Sequence, residues 1–531
     1  MDEIMEQRIA ELRRVKESAL QGGGPAKIAR QKERGKLLAR ERLEMLLDPG
    51  SFNESLMLTG HIQGDAGDGI VAGYGTINGR QVCVFSQDAT IQGGSIGNLH
   101  GFKMTRTIER ALEMRVPLIS LGDSPGYRNP KMSQLLSSQG AGGMDVGEEM
   151  TMATAIGEKN MFFANVQASG VIPQISAVLG SCGGVSVYSP ALMDFIFMVD
   201  SISHMFITGP RIVKSVMAED LTMEELGGTK IHSKLSGVCD RRFKTEEECF
   251  ANIKKLLSYL PSNCDESPPW VNTGDDPNRV DETIQDIMPA DANKPFDMHL
   301  IIKRIVDNGD FYEIKPEFAG EMIVGLGRLN GHVVGIIANQ PMVRAGSLTV
   351  DSSTKEARFM RFCDCFNIPL VMLVDTPAYQ PGSQQEQAGI IRHGAKVLYA
   401  LCEATVPRIS VILRKAYGGG NLGMGSIPGM GTDFMYSWPT AEMGVMGAEQ
   451  SVDLFFGPQI AAAPDPVAFK QQMVDMYKGV MGNPIFMASF NPFTEDVIEP
   501  KDTRRILIRS LEILKSKKIS RQPKRHGNIP L

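Results

Sequence analysis

Short apolar runs rich in Val, Ile and Leu alternate with amphipathic stretches along most of this chain from Gly69 onward. The runs are strand-sized, and Asn78-Gly79, between the first two runs, is typical of a β-hairpin turn. Met104, Ile108 and Leu112 fall on one face of a helix. The pattern predicts an α/β fold with strands over 71–77, 81–85, 116–121 and 172–179, and a further helix around 153–168.

The pattern occurs twice in the chain. Asn330-Gly331 stands 252 residues after Asn78-Gly79. Matches at the same spacing continue over some fifty residues without a gap, and chance does not hold one register that long, so the sequence contains an internal duplication. The later members of these pairs are Gly346-Ser347, Lys355, Arg358, Pro369-Leu370, Asp375, Pro377 and Tyr379, which repeat Gly94-Ser95, Lys103, Arg106, Pro117-Leu118, Asp123, Pro125 and Tyr127.

Domain organisation follows from the duplication and from the length of 531 residues, which is too long for one hydrophobic core. Two α/β halves are expected at 48–265 and 299–531. Residues 1–47 are charged and helix-prone, and we interpret them as a helical arm or an interface. The segment 266–298 between the halves is rich in Pro, Asp and Asn, which predicts a linker.

Each half ends one buried strand in a glycine-rich turn. Arg408-Ile-Ser-Val-Ile-Leu413 runs into Gly418-Gly-Gly420, and the strand over 172–179 runs into Gly183-Gly184. If a helix starts at such a turn, its first N–H groups lack partners within the helix and can polarise a carbonyl oxygen. For one turn alone, a tight connection without a role is slightly favoured. Two such turns favour a reaction that develops negative charge on two oxygens, where each donor stabilises by about 3–4 kcal/mol.

Composition excludes several other functions. A net charge of −6 and a pI near 5.9 give no reason to expect nucleic acid as a partner. The apolar runs are too short to span a membrane. Met1-Asp-Glu-Ile-Met-Glu-Gln-Arg8 lacks the basic start and apolar core of a signal peptide, so a cytoplasmic location is expected. The eight scattered cysteines favour reduced thiols over a disulfide framework, and no metal site is expected.

Other catalytic motifs are missing from the sequence. We find no Ser/His/Asp arrangement, metal-binding pattern or phosphate-binding loop. For His232 and His393 a structural or ligand-positioning role is favoured over that of a general base. Asp123 and Asp375 each end a strand, and we expect them to cap the turns that follow.

Several long stretches resemble the carboxyltransferase (β) subunit of biotin-dependent acyl-CoA carboxylases. The resemblance runs from about residue 30 to the end of the chain. It implies two tandem crotonase-like ββα-spiral domains, a hexamer, and an active site between the N-terminal half of one subunit and the C-terminal half of another. The matching stretches include Ala39-Arg-Glu-Arg-Leu43, Met205-Phe-Ile-Thr-Gly-Pro210, Gly389-Ile-Ile-Arg-His-Gly-Ala-Lys396, Arg414-Lys-Ala-Tyr-Gly-Gly419, Trp438-Pro-Thr-Ala-Glu442 and Val445-Met-Gly-Ala-Glu449.

The resemblance also implies a mechanism. Carboxybiotin on a separate carrier releases CO2, the biotin nitrogen takes the α-proton of an acyl-CoA, and the enolate is carboxylated. By the family pattern, the backbone amides of Gly184 and Val185 hold the thioester oxygen, and those of Gly419 and Gly420 hold the ureido oxygen. The other candidate substrate-binding residues are Gly93, Gly94, Ser95, Ser124, Gly126, Tyr127, Arg392, His393, Asn421 and Leu422.

Three positions depart from the family pattern. Pro125 stands where the family usually has glycine, which removes one amide donor and fixes φ. Val185 replaces a second glycine; it keeps its N–H, but its side chain narrows the pocket. Leu422 stands where many propionyl-CoA and acetyl-CoA enzymes have an acidic residue. This last change favours a larger or less polar acyl group.

The sequence contains no biotin-attachment motif of the Ala-Met-Lys-Met kind and no region of ATP-grasp size, so biotin carboxylase and the biotin carrier protein are expected to be separate chains. A transcarboxylase or a sodium-pumping acyl-CoA decarboxylase would use the same subunit and stays open as an alternative. A catalytically idle hexameric core is a third possibility. A crotonase-type hydratase is disfavoured because no pair of glutamates lies near the glycine turns.

Overall fold

The protein is described by a computed structural model with two compact units, Met1–Glu266 and Ser267–Leu531. The residues that the structure describes are 3–61, 67–128, 160–291, 294–427, 429–480, 482–490 and 494–530.

The first unit contains nine strands and ten helices within its described residues. The strands are β1 (Asn53–Ser55), β2 (Ile70–Ile77), β3 (Arg80–Gln87), β4 (Leu118–Gly122), β5 (Gln174–Val178), β6 (Ser181–Gly183), β7 (Phe195–Val199), β8 (His204–Phe206) and β9 (Arg241–Phe243). The helices are α1 (Glu3–Leu20), α2 (Pro25–Glu33), α3 (Ala39–Leu46), α4 (Asn98–Met114), α5 (Met161–Ala168), α6 (Tyr188–Leu192), α7 (Pro210–Met217), α8 (Met223–Gly227), α9 (Thr229–Lys234) and α10 (Glu246–Tyr259).

The described part of the second unit continues this numbering. Its strands are β10 (Tyr312–Ile314), β11 (Met322–Leu329), β12 (His332–Asn339), β13 (Leu370–Thr376), β14 (Arg408–Tyr417), β15 (Phe434–Ser437), β16 (Glu442–Gly444) and β17 (Asp496–Val497). Its helices are α11 (Met298–Ile305), α12 (Val350–Cys365), α13 (Ser383–Gln387), α14 (Ile390–Glu403), α15 (Gly418–Gly423), α16 (Ala448–Ala462), α17 (Pro466–Val480), α18 (Pro484–Phe490) and α19 (Thr503–Leu514).

The main sheets of the two units have the same topology. Strand order is β1-β2-β3-β4-β5-β7-β9 in the first unit and β10-β11-β12-β13-β14-β15-β17 in the second. In each, the first three strands are antiparallel and the rest are parallel. Leu118 pairs with Gln174 in one sheet, and Leu370 pairs with Arg408 at the equivalent place in the other. The duplication predicted from the sequence is therefore also a duplication of strand register.

The hairpin predictions are confirmed at both places. Asn78 and Gly79 have φ of 50° and 78°, and Asn330 and Gly331 have 51° and 78°. Two successive positive φ angles are what a two-residue turn of type I′ requires, and Asn-Gly adopts them at low cost. Of the helix expected around 153–168, residues 161–168 are helical, and residues 153–159 lie outside the described part of the chain.

The central parallel strands β4, β5, β7 and β13 are buried along their whole length, which explains their mainly apolar sequences. In the first unit, Cys83, Leu118 and Ile108 belong to one core that joins the sheet to α4 and α5. In the second, the sheet packs on α11 and α19 through residues such as Ile302, Leu373 and Leu507.

The N-terminal segment predicted as an arm is divided in the structure. Helix α1 is mostly exposed, with only Val15 and Ala19 buried. Helix α3 instead packs on β2 and β3 and buries Arg42, Leu43 and Leu46. The second part of the segment 1–47 thus belongs to the core of the first unit, because its apolar residues face the sheet.

Candidate active site

The first glycine turn follows β5 and β6. Gly184 has φ of +55°, a conformation that side chains disfavour, and it opens a short 3₁₀ turn over Gly184–Val187. Its N–H donates to the carbonyl of Ile207 over 3.1 Å. The structure therefore engages this amide internally, contrary to the expectation that it is free for an oxyanion. The next N–H along the chain is that of Val185. It has no acceptor within the 3₁₀ turn, because the first N–H groups of a helix have no partner inside that helix.

The second glycine turn connects β14 to α15. Gly418 has φ of +50° and takes the place of Gly184, since both end the equivalent strand. A Cβ on Gly418 would lie 2.6 Å from the carbonyl of Val445. The N–H groups of Gly418, Gly419 and Gly420 occupy the first turn of α15 and have no partners within that helix. Val185 thus corresponds to Gly419.

Glycine in the second turn permits a close approach of the loop after β13. A Cβ on Gly419 would lie 3.0 Å from the ring of Tyr379. A Cβ on Gly420 would lie 3.0 Å from the Thr376 side chain and 3.1 Å from the backbone of Ala378. The unpartnered amides therefore line a surface made of backbone, which a flat polar group can approach.

The loop over residues 123–128 is tied to the first glycine turn. The Ser124 carbonyl accepts from the Gly183 N–H at 3.2 Å and from the Ser186 hydroxyl at 2.9 Å. Gly126 has φ of +111°, and a Cβ there would lie 2.6 Å from the Gly183 carbonyl. The Pro125 departure thus sits in a loop whose neighbours on both sides contact the turn.

Three further predicted residues lie beside that loop. Gly94 has φ of +73°, and a Cβ there would lie 2.3 Å from the Asp123 carbonyl. The buried Ser95 hydroxyl accepts from Arg128 Nε at 3.2 Å. Ile96 and Tyr127 form a parallel bridge. Gly93, Gly94, Ser95, Ser124, Gly126 and Tyr127 are therefore brought together at the ends of β3 and β4.

An apolar pocket opens beside these residues. It encloses about 480 Å³, its open mouth included. Val185 and Tyr127 both line it, together with Ile96, Gly97, Asn98, Gly101, Thr105, Asn160, Met161 and Phe162. Val185 therefore borders the pocket.

The predicted residues of the second half are less closely grouped. Asn421 and Leu422 lie in α15 itself. His393 is directed toward α12, where its Nδ1 hydrogen-bonds the Thr354 hydroxyl at 3.1 Å. Burial lowers the pKa of His393. Arg392 is exposed beside it. The structure thus places His393 against α12, with Arg392 beside it.

His204 was not singled out by the sequence, yet it lies next to the first glycine turn. Its Nδ1 hydrogen-bonds Ser181 Oγ at 3.3 Å, and its Nε2 hydrogen-bonds Glu224 at 3.1 Å. Burial lowers its pKa, although the carboxylate of Glu224 opposes that shift. His232 has a structural role, because its two ring nitrogens hydrogen-bond the Met205 carbonyl and the Ser236 hydroxyl, both at 2.8 Å.

Asp123 and Asp375 were expected to cap the turns that follow them, and the structure instead places both carboxylates in buried ion pairs. Asp375 pairs with Arg414 at 2.7 Å. Asp123 is bound by Lys36 at 2.6 Å and by Arg42 at 3.4 Å, two residues of the N-terminal segment. No local sequence signal marks these partners, since each lies more than eighty positions from Asp123.

Neither a metal-binding cluster nor a membrane-spanning helix is found among the described residues. No group of three or more His, Cys, Asp or Glu side chains is arranged there to hold a metal ion. No helix in the same part of the chain has the length and apolar character needed to cross a membrane.

Two α/β repeats of the same strand order, each with a glycine turn at the end of a buried strand, define a duplicated crotonase-like enzyme. The chain belongs to the carboxyl transferase family, whose domain matches residues 30–529. It is 45% identical to a propionyl-CoA carboxylase carboxyltransferase subunit of Haloferax mediterranei, over 99% of this chain and 100% of the relative. It is 44% identical to a methylmalonyl-CoA decarboxylase subunit alpha of Veillonella parvula, over 96% of both chains.

A solved structure shares the fold over nearly the whole chain. Transcarboxylase 12S, crystallised as a hexamer with methylmalonyl-coenzyme A and methylmalonic acid bound, matches with a TM-score of 0.90 and 42% identity. The match covers 99% of this chain and 98% of that one. The tandem crotonase-like fold predicted from the sequence is thereby confirmed, and the protein is a carboxyltransferase.

Proposed function

We propose that this protein transfers a carboxyl group between biotin on a separate carrier protein and the α-carbon of an acyl-CoA. The observation that carries the proposal is the pair of glycine turns, one in each half, that present Val185 and the Gly419-Gly420 pair with amides unused by their own helices. Carboxyl transfer develops negative charge on two different carbonyl oxygens, and each turn supplies donors for one of them.

The first turn is assigned to the acyl-CoA. Val185 N–H donates to the thioester oxygen and stabilises it as the α-proton leaves. Ser124 and Gly126 hold this turn through the loop after β4. Gly184 joins Val185 as a second donor only if its bond to Ile207 opens, so Val185 has the leading role in the proposal.

The second turn is assigned to biotin. Gly419 and Gly420 leave the turn as bare backbone that a planar ureido group can approach, and added Cβ atoms there would press on Tyr379 and Ala378. When bound, biotin supplies the carboxyl group and the nitrogen that accepts the α-proton. Gly419 and Gly420 donate to the ureido oxygen, and Asn421 and Leu422 border the same turn.

The acyl group is proposed to be apolar. Val185 and Tyr127 line a pocket whose other members are mainly aliphatic, aromatic or small. Leu422 puts an isobutyl group where an acidic residue would bind a smaller or more polar substrate. Branched, enoyl or propionyl groups therefore fit better than acetyl.

The assembly of this protein is proposed from what is known of its relatives. The transcarboxylase 12S structure is described as a hexamer assembly in a multienzyme core. We infer a homohexamer that works with a biotin carboxylase and a biotin carrier protein. A decarboxylase or transcarboxylase setting is the second candidate, favoured by 44% identity to the Veillonella decarboxylase subunit. The idle core is disfavoured, because both turns keep their donors.

The test is a biocytin assay of the purified chain. Malonyl-, methylmalonyl- and glutaconyl-CoA are each mixed with the protein, with and without biocytin, and loss of the carboxylated thioester is followed. Biocytin-dependent loss of at least one donor is expected, and the best donor names the acyl class. CoA binding without turnover of any donor would refute the proposed reaction, and loss of binding as well would favour the idle core.

A further inference from the structure

The carboxylate of Asp123 is buried at the end of β4, directly before the loop of the first-half site. Three side chains of the N-terminal segment converge on it. Gln31 Nε2 donates at 3.0 Å, Lys36 Nζ donates at 2.8 Å to one oxygen and lies 2.6 Å from the other, and Arg42 Nη1 donates at 3.4 Å. Gln31, Lys36, Arg42 and Asp123 are called the Asp123 cluster below.

The charges of this cluster are balanced by one more acid. Arg42 is fully buried, and its Nε donates to Glu246 at 2.7 Å while its Nη2 donates to the Leu179 carbonyl at 2.8 Å. Lys36 and Arg42 thus face Asp123 and Glu246. Two cations against two carboxylates leave no net charge, and a buried charge without its partner is strongly unfavourable.

In the second half, the equivalent carboxylate is paired with a cation of the same repeat. Arg414, on β14, donates to Asp375 from Nη2 at 2.7 Å and from Nε at 3.1 Å. Gly180 takes the place of Arg414 in the first half, since each lies six residues after the equivalent residues Gln174 and Arg408. A Cβ at Gly180 would lie 1.9 Å from Asp123 Oδ1. The first repeat therefore has no room for a cation at this position, and Asp123 is paired by two cations of the N-terminal segment, Lys36 and Arg42.

Asp123 is also coupled to the amide that the proposed reaction uses. Its N–H donates to Gln87 Oε1 at 2.9 Å. The next residue, Ser124, accepts from Gly183 and Ser186, which flank the turn that presents Val185. A displacement of Asp123 therefore moves the loop and the turn together.

We propose that Lys36, supported by Gln31 and Arg42, is a positioning residue for the acyl-CoA side of the site. The inference rests on the proposed function for its assignment of the first half to acyl-CoA. Lys36 touches no reacting atom; it fixes Asp123, and Asp123 fixes the loop that holds Val185. Arg414 has the same role for the second half and hence for biotin.

The experiment compares Lys36→Met with Arg414→Met in the biocytin assay, each substrate being varied in turn. Lys36→Met is expected to lower kcat/KM for acyl-CoA by on the order of 10²-fold, the cost of a small misplacement, and to leave the KM for biocytin unchanged. Arg414→Met is expected to give the opposite split. An equal rise in the KM values for both substrates in both variants would overturn the inference, because a merely structural role predicts it.

Two further variants separate positioning from folding. Lys36→Arg keeps the charge and is expected to restore most of the acyl-CoA kinetics. The double variant Lys36→Met with Asp123→Asn removes both charges, so it is expected to fold even where Lys36→Met does not, and to keep the acyl-CoA defect. Wild-type acyl-CoA kinetics in the folded double variant would overturn the inference.

If the proposed function itself is wrong, the wild-type chain will show no biocytin-dependent turnover. In that case calorimetric binding of propionyl-CoA to wild type and to the double variant decides the inference. Weaker binding to the double variant is expected, and equal binding would overturn it.

Discussion

Replacing Val185 by proline tests the proposed oxyanion donor most directly. Proline removes the N–H and is tolerated in the first turn of a helix, where that N–H has no helical acceptor. Val185→Ala is the matched control, because it keeps the N–H and removes most of the side chain that lines the pocket. The pair therefore separates the amide from the side chain at one position.

The magnitude follows from the geometry of the turn. With the Gly184 N–H bonded to Ile207, Val185 supplies the leading hydrogen bond to the thioester oxygen. Loss of one preorganised donor costs about 3–4 kcal/mol in the transition state, or a factor of about 10²–10³ in kcat. The KM for acyl-CoA is expected to change little, because the donor acts mainly on charge that develops during reaction.

The assay is biocytin-dependent decarboxylation of methylmalonyl-CoA, with kcat and KM determined separately for both variants. Thermal unfolding of each variant establishes that both are folded. Equal kcat in folded Val185→Pro and Val185→Ala would refute the reasoning, since the amide would then contribute nothing. A large fall in kcat for Val185→Ala alone would assign the effect to the pocket instead.

Three other predictions concern pH, specificity and packing. Burial lowers the pKa of His100 to about 3, so at pH values between 3 and the ordinary histidine pKa of 6.5 the unfolded chain binds one more proton than the folded chain. The free energy of unfolding should therefore fall by up to about 1.4 kcal/mol for each pH unit as the pH drops through this range. In urea titrations, His100→Gln should make the free energy of unfolding depend less on pH. Leu422→Asp should shift kcat/KM toward acetyl- over branched acyl-CoA by roughly tenfold in a competition assay, and an unchanged ratio would count against the specificity proposal. Leu373→Ala empties part of the second core and should cost about 2–5 kcal/mol in denaturant unfolding, whereas the exposed Leu454→Ala should cost little.

The features predicted well from the sequence were those with local physical causes. Asn78-Gly79 and Asn330-Gly331 marked the hairpins because their turn chemistry is contained in two residues. Strand positions agreed to within a few residues, as with the predicted 172–179 and the observed Gln174–Val178. The apolar pattern indicates which residues are buried, but it does not indicate which residue makes the last hydrogen bond of the sheet. The duplication followed from its unbroken register.

The features missed depend on distant partners. The Gly184 N–H is taken by Ile207, a residue brought near by the pairing of β6 with β8. Lys36 and Arg42 lie in a charged, helix-prone segment whose composition suits a solvated surface equally well. Their burial is set by Asp123, far along the chain, and nothing in the local spacing of charges predicts such a contact.

The cations that pair with Asp123 and with Asp375 are also synthesised at different times relative to these carboxylates. In the first unit Lys36 and Arg42 leave the ribosome before Asp123, so the carboxylate meets its partners as soon as β4 can dock. In the second unit Arg414 emerges after Asp375, which must stay in water until the next strand is complete. A nascent chain that folds from its N-terminus can therefore pair Asp123 early, with Glu246 joining Arg42 later, whereas the second unit must delay its core until β14 is made.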